Sequence, residues 1–160
     1  MTRKLPIIAR LQRQLAELRR ELDVDLPKVI ETAREHGDLK ENAEYHAAKE
    51  RQGMLSARAG TIEERIRQLS VYNISSIPAG VIGYGSRVKL EDTDTGDVLV
   101  YMIVFPEEVE NGDGSVSISS PLGQALLNRN QGDEVRVRTP KGTRAFEVLE
   151  VTTIHERLRD

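Results

Sequence analysis

The 160-residue sequence contains no cysteine and no tryptophan, and its aromatic residues are limited to four tyrosines and two phenylalanines. Without cysteine it forms neither disulfides nor thiolate metal sites. With so few aromatics it offers no stacking platform for single-stranded nucleic acid. No apolar run is long enough to span a bilayer, and Met1–Arg10 shows no signal-peptide pattern. A soluble, cytoplasmic chain with no membrane partner is therefore expected. A positive excess is also lacking, since the net charge is −3. Residues 1–76 hold 14 Lys and Arg against 12 Asp and Glu, a net +2, whereas residues 77–160 hold 9 against 14, a net −5. The acidic second part excludes a whole-protein electrostatic grip on nucleic acid and leaves room only for a local basic patch.

What is present falls into two parts with different hydrophobic periods. Leu5, Ile8, Leu11, Leu15, Leu18 and Leu22 recur at steps of three and four, a helical seam drifting into a heptad pattern. Val29 and Ile30 continue it toward Arg34, and Pro27 predicts a kink or restart. A second seam runs through Ala48, Leu55, Ala59, Ile62, Ile66 and Leu69. Between them, Gly37 suits the left-handed residue that closes a helix. Asp38 suits the N-cap of the next helix. So short a connection predicts an antiparallel two-helix coiled-coil hairpin over residues 1–76. Its arms, roughly 5–35 and 39–69, would each reach about 46 Å at 1.5 Å per residue.

After Leu69 the period changes. Pro78, Gly80, Gly83 and Gly85 read as a linker. Short alternating runs then predict strands at Arg87–Leu90, Val98–Phe105, Val116–Ser119, Val135–Arg138 and Ala145–Val151. Turns are expected at Asp94–Gly96 and Thr139–Gly142. Ser120 as cap and Pro121 at the first helical position open one short helix ending near Asn128. Residues 77–160 thus read as a small α+β domain, an antiparallel sheet with one short helix, near the lower size limit for independent stability.

The densest chemistry lies at the hairpin tip, Asp38-Leu-Lys-Glu-Asn-Ala-Glu-Tyr45. Two readings stand side by side. Asp38 and Glu41 have capping-box spacing, and Arg34 suits the negative end of the first helix. Capping, however, has no use for Lys40 in the first turn, for the extra carboxylate of Glu44, or for Tyr45 on nearly the same face as Glu41. Carboxylates without cysteine select hard cations such as Mg²⁺, and two of them on a tip need further ligands from a partner or from phosphates. His36 and His46 lack zinc-site spacing and read as solvated helix residues.

The stretch Arg34–Glu50 resembles the tip signature of the bacterial Gre transcript-cleavage factors of the GreA type. Ser119–Gly123, Gly132–Val135, Thr139–Gly142 and Phe146–Val151 are similar to that family's C-terminal domain, so the resemblance covers nearly the whole chain. It implies an FKBP-like second domain that docks on bacterial RNA polymerase, with Ser120, Pro121 and Leu122 at the channel rim. It also implies a coiled coil that enters the secondary channel of a backtracked complex. Asp38 and Glu41 would be the catalytic and metal residues, sharing Mg²⁺ with the polymerase so that the polymerase cleaves the 3′ segment of the nascent RNA. Glu44 and Tyr45 would support the tip. Arg34, Lys40, Lys49 and Arg51 would contact RNA phosphates, with a solvated, ion-paired helix face as the plainer account of these cations. A monomer with no nuclease activity and no tightly bound metal of its own is expected. The family's pattern is departed from at Thr2–Pro6 and in the position of Pro27. An inhibitor that occupies the same channel without stimulating cleavage, and a plain coiled-coil adaptor, are the rival readings. The Asp38/Glu41 pair favours cleavage stimulation over both.

Overall fold

The computed structural model describes residues 3–37, 42–110 and 114–158. The chain forms two units, one from Lys4 to Tyr72, the other from Asn73 onward together with Arg3.

The first unit is a helical hairpin. Helix α1 (Pro6–Arg20) opens with Pro6, whose missing N–H costs nothing in the first turn. It passes directly into a π-helical turn, Glu21–Asp25, and then into α2 (Leu26–Glu35). The restart expected at Pro27 therefore takes the form of a widened turn within one continuous rod. In an ordinary α-helix Pro27 leaves the carbonyl four residues back without a donor, and its ring presses on that carbonyl. Here the Leu26 amide donates instead to the Glu21 carbonyl, five residues back, which places the wide turn just ahead of the proline. The wide turn also changes the seam. Leu18 and Leu22 are followed by Leu26 and Ile30 at steps of four, and Ala33 is buried one step further on. Val29, expected on the seam, is instead exposed. Helix α3 (Ala43–Ser70) forms the other arm, 28 residues or about 42 Å long. Leu26, Ile30, Ala48 and Leu55 form a cluster between the arms, with Leu18, Leu22 and Tyr45 packed against it. Arg19 pairs with Glu63, and Arg51 with Glu21, so both ion pairs tie the first arm to the second.

The second unit is a five-stranded sheet in the order β3-β2-β1-β5-β4. Its strands are β1 (Arg87–Asp92), β2 (Val98–Val104), β3 (Ser115–Ser117), β4 (Glu134–Thr139) and β5 (Gly142–Thr152). All pairings are antiparallel except β2 with β3, so the expected antiparallel sheet is in fact mixed. Alternation shows which face of β3 is buried, through Val116, but carries no information on strand direction. Between β1 and β5 the register shifts: Lys89 pairs with Glu150 and Leu90 with Val148, leaving Leu149 without a partner, a bulge that bends the long β5. Val88, Leu90, Ile103, Val135, Val137, Phe146 and Val148 build the core under helix α4 (Pro121–Leu126), which contributes Leu126. A second short helix, α5 (Ile154–Arg157), was not legible in the sequence. The end of the expected linker is also core. Ile82 and Ser86 are buried, and Gly85, at φ +80°, lies where a Cβ would sit 2.6 Å from the Ile154 side chain.

Candidate functional site

Helix α2 closes as expected. The His36 amide donates to the Ala33 carbonyl at 3.2 Å, and Gly37 follows at φ +109°, a conformation that favours glycine. Asp38, Lys40 and Glu41 lie outside the described residues. At Asn42 the capping expectation is corrected. The N-cap of α3 is Asn42, whose Oδ1 accepts from the Tyr45 amide at 3.1 Å. Because α3 begins at Ala43, neither the Asp38 cap nor the placing of Lys40 in the first helical turn applies to it.

The residues on either side of this short connection are held together. Asn42 Nδ2 donates to the Ala33 carbonyl at 2.6 Å, joining the start of α3 to the end of α2. The Arg34 guanidinium lies 5.8 Å from the centre of the Tyr45 ring, within reach of a cation–π contact. That ring meets His46 edge-on at 5.7 Å and packs against the seam cluster. Glu44 is exposed in the first turn of α3, where the helix dipole favours a carboxylate. Among the described residues no three His, Asp or Glu side chains are grouped so as to hold a metal ion.

The expected basic residues have different settings. Arg34 is exposed at the tip, over Tyr45. Lys49 donates to Gln52 Oε1 at 3.0 Å within α3. Arg51 binds Glu21 through two nitrogens, Nη2 reaching Oε2 at 3.0 Å. That hydrogen bond, and then the charge of the guanidinium, hold the Glu21 carboxyl below its ordinary range and raise Arg51 in turn. Arg51 is thus engaged in an ion pair between the two arms.

In the second unit, Ser120 Oγ accepts from the Gly123 amide at 3.1 Å and donates to the Ser117 carbonyl at 2.7 Å. Its hydroxyl is used internally as a cap. Leu122 is half-buried against the sheet core, whereas Pro121 is exposed. Of the three expected docking residues, Pro121 is the one that presents its side chain mainly to solvent. No described helix is long and apolar enough to cross a membrane.

Asn42 is the tip residue that sequence reading passed over. A glycine followed directly by Asp38 drew the cap assignment four residues too early, although asparagine ranks with aspartate as an N-cap.

Both units match known protein families. Residues 7–71 match the model described as "Transcription elongation factor, N-terminal", and residues 77–153 the model described as "Transcription elongation factor, GreA/GreB, C-term". The chain belongs to the GreA/GreB family of transcription elongation factors. It is 45% identical over 144 residues to transcription elongation factor GreA of Desulfotalea psychrophila (strain LSv54 / DSM 12343), covering 90% of this chain and 89% of that one. It is 42% identical over 142 residues to GreA of Syntrophobacter fumaroxidans (strain DSM 10017 / MPOB), covering 89% and 91%. Among solved structures, GreA factor homolog 1 of Thermus thermophilus is 32% identical, with 91% of this chain and 94% of that one covered and a TM-score of 0.42.

Proposed function

We propose that this chain is an accessory factor that binds backtracked bacterial RNA polymerase, reaches the active centre through the secondary channel, and stimulates cleavage of the nascent RNA 3′ segment. It is not an enzyme alone. The hairpin, residues 1–76, carries the working tip, and residues 77–160 dock on the polymerase. The reading rests on family membership and on one observation. The last turn of α2 and the first turn of α3, which flank the acidic segment of the sequence, are tied across the two arms, by Asn42 to Ala33 and by Arg34 over Tyr45.

Asp38 and Glu41 are the carboxylates that would hold Mg²⁺. Their oxygens suit a hard cation, but two residues do not fill its octahedral shell, so the polymerase and the RNA must supply the remaining ligands. When bound there, the ion would supply Lewis-acid assistance to phosphodiester hydrolysis. Glu44 and Tyr45 support the tip. Arg34, Lys40 and Lys49 face RNA phosphates, and Arg51 reaches them only by exchanging Glu21 for a phosphate. Pro121, at the first position of α4 beside the Ser120 cap and Leu122, meets the channel rim.

The test is Asp38→Asn combined with Glu41→Gln, which removes both negative charges and leaves the Asn42 cap untouched. Melting temperature and polymerase binding are expected to be unchanged. The rate of transcript cleavage in backtracked complexes should fall about 100-fold or more, as for loss of groups that act on developing charge. Undiminished cleavage would remove the pair from the chemistry. Loss of folding would make its role structural.

A further inference from the structure

An N-cap needs only an acceptor, and serine, threonine or aspartate supplies one as well as asparagine does. Asn42 uses Oδ1 in that way, toward the Tyr45 amide. Its Nδ2 turns to the other helix and donates to the Ala33 carbonyl, nine residues back in sequence. Ala33 lies in the last turn of α2, where carbonyls have lost their helical partners. The same carbonyl accepts from the His36 amide, and its two lone pairs accommodate both donors. The neighbours also settle which way the carboxamide faces. Turned over, it would set Oδ1 against a carbonyl oxygen and Nδ2 against an N–H, opposing like partial charges at both ends.

We propose that Asn42 is a positioning residue of the tip. Its carboxamide ties the last turn of α2 to the first turn of α3, so that the chain leaves and re-enters the hairpin at fixed points. The inference rests on the reading of the intervening connection as the carrier of the working carboxylates. It goes beyond that reading by assigning the precision of the tip to a neutral side chain with no part in holding metal or RNA. The Arg34–Tyr45 contact is a second tie between the same two turns, and the Tyr45 amide is the one Asn42 caps. Capping by itself has no use for the donor half of the side chain, so replacing that half alone isolates the positioning role.

The free protein supplies the first test. The Asn42 carboxamide protons should give a resolved, slowly exchanging pair in the nuclear magnetic resonance spectrum. A freely exchanging pair overturns the proposal. The second test uses Asn42→Ser, which keeps a cap acceptor and lacks the donor, with Asn42→Asp as an independent acceptor-only variant. Both should keep wild-type helix content. Half-maximal cleavage should need the same factor concentration, while the maximal rate falls about tenfold or more, as for small misplacements of reacting groups. A normal maximal rate in Asn42→Ser would mean that capping is all the residue does. Loss of helix content in both variants would make Asn42 a determinant of the fold, and the proposal fails. The Asp38→Asn/Glu41→Gln variant separates the two levels of claim. If it is inactive while Asn42→Ser is fully active, only the positioning role is wrong. If it is fully active, the reading of the connection falls, and this inference with it.

Discussion

Asp92 is a buried carboxylate that no spacing rule singled out, because the first strand was expected to end at Leu90. It accepts from the Arg144 guanidinium at 2.9 and 3.2 Å and from the amides of Asp94 and Thr95 at 2.9 and 3.2 Å. The Arg144 hydrogen bond, followed by that of the Asp94 amide, holds its carboxyl below the usual carboxylate range. A lowered folded pKa stabilises the native state above the unfolded value, about 3.9, and that contribution is lost as pH falls through the folded pKa. The melting temperature of Asp92→Asn should therefore lie below wild type near neutrality, with the gap closing as pH falls below about 4. A gap independent of pH would show that shape, not charge, holds the turn. The tip offers the opposite lesson at the same scale. Gly37 was legible because one conformation requires it. Asn42 was missed because two cap-competent residues lie four positions apart, and tertiary contact with Ala33 distinguishes them.

Elements were legible wherever one face is buried. Both hairpin arms, all five strands and the Ser120 cap of α4 follow from periodicity and cap chemistry. What periodicity left out has a physical cause in each case. Pro27 announced an interruption, but whether a helix kinks, ends or widens depends on what packs against it. Here the Leu26 and Ile30 seam keeps the rod continuous through a π-helical turn. The parallel pairing of β3 depends on the path by which the chain returns to β2, the preceding strand, which hydrophobic alternation does not record. Gly123 shows how closely α4 is set against the chain that leads into it. A Cβ there would lie 2.0 Å from the Ser117 carbonyl oxygen, a backbone atom that cannot swing away. Gly123→Ala should lower stability by about 1–3 kcal/mol, the usual cost of overpacking, measurable by chemical denaturation. A neutral effect would mean that the α4 turn shifts freely.

At the scale of the whole molecule, the division into two units predicts a division of kinetic effects. Under the proposed function, changes at the tip should alter the maximal rate of cleavage, since they would act after the factor is bound. Changes at the proposed docking residues at the start of α4 should alter the concentration required. Pro121→Ala, at an exposed position outside the sheet core, should raise the half-saturating concentration several-fold and leave the maximal rate unchanged. Such a truncation at an interface removes about 1 kcal/mol or more only where the side chain is an anchor, so an unchanged half-saturating concentration would place docking elsewhere.

By itself, the sequence determined that the chain is a hairpin followed by a small sheet unit, and that the hairpin tip is acidic. Those properties are local: hydrophobic period, glycine conformation and cap-forming side chains act over a few residues, and family likeness is written in the same short motifs. The tertiary structure decided which residue caps α3, which cations are already engaged, which way β3 runs, and that Asp92 is buried against Arg144. The ion pairs turn on partners tens of positions away, and the choice of Asn42 on its added bond to Ala33 in the other helix, where burial and hydrogen bonding choose among side chains that local chemistry treats alike.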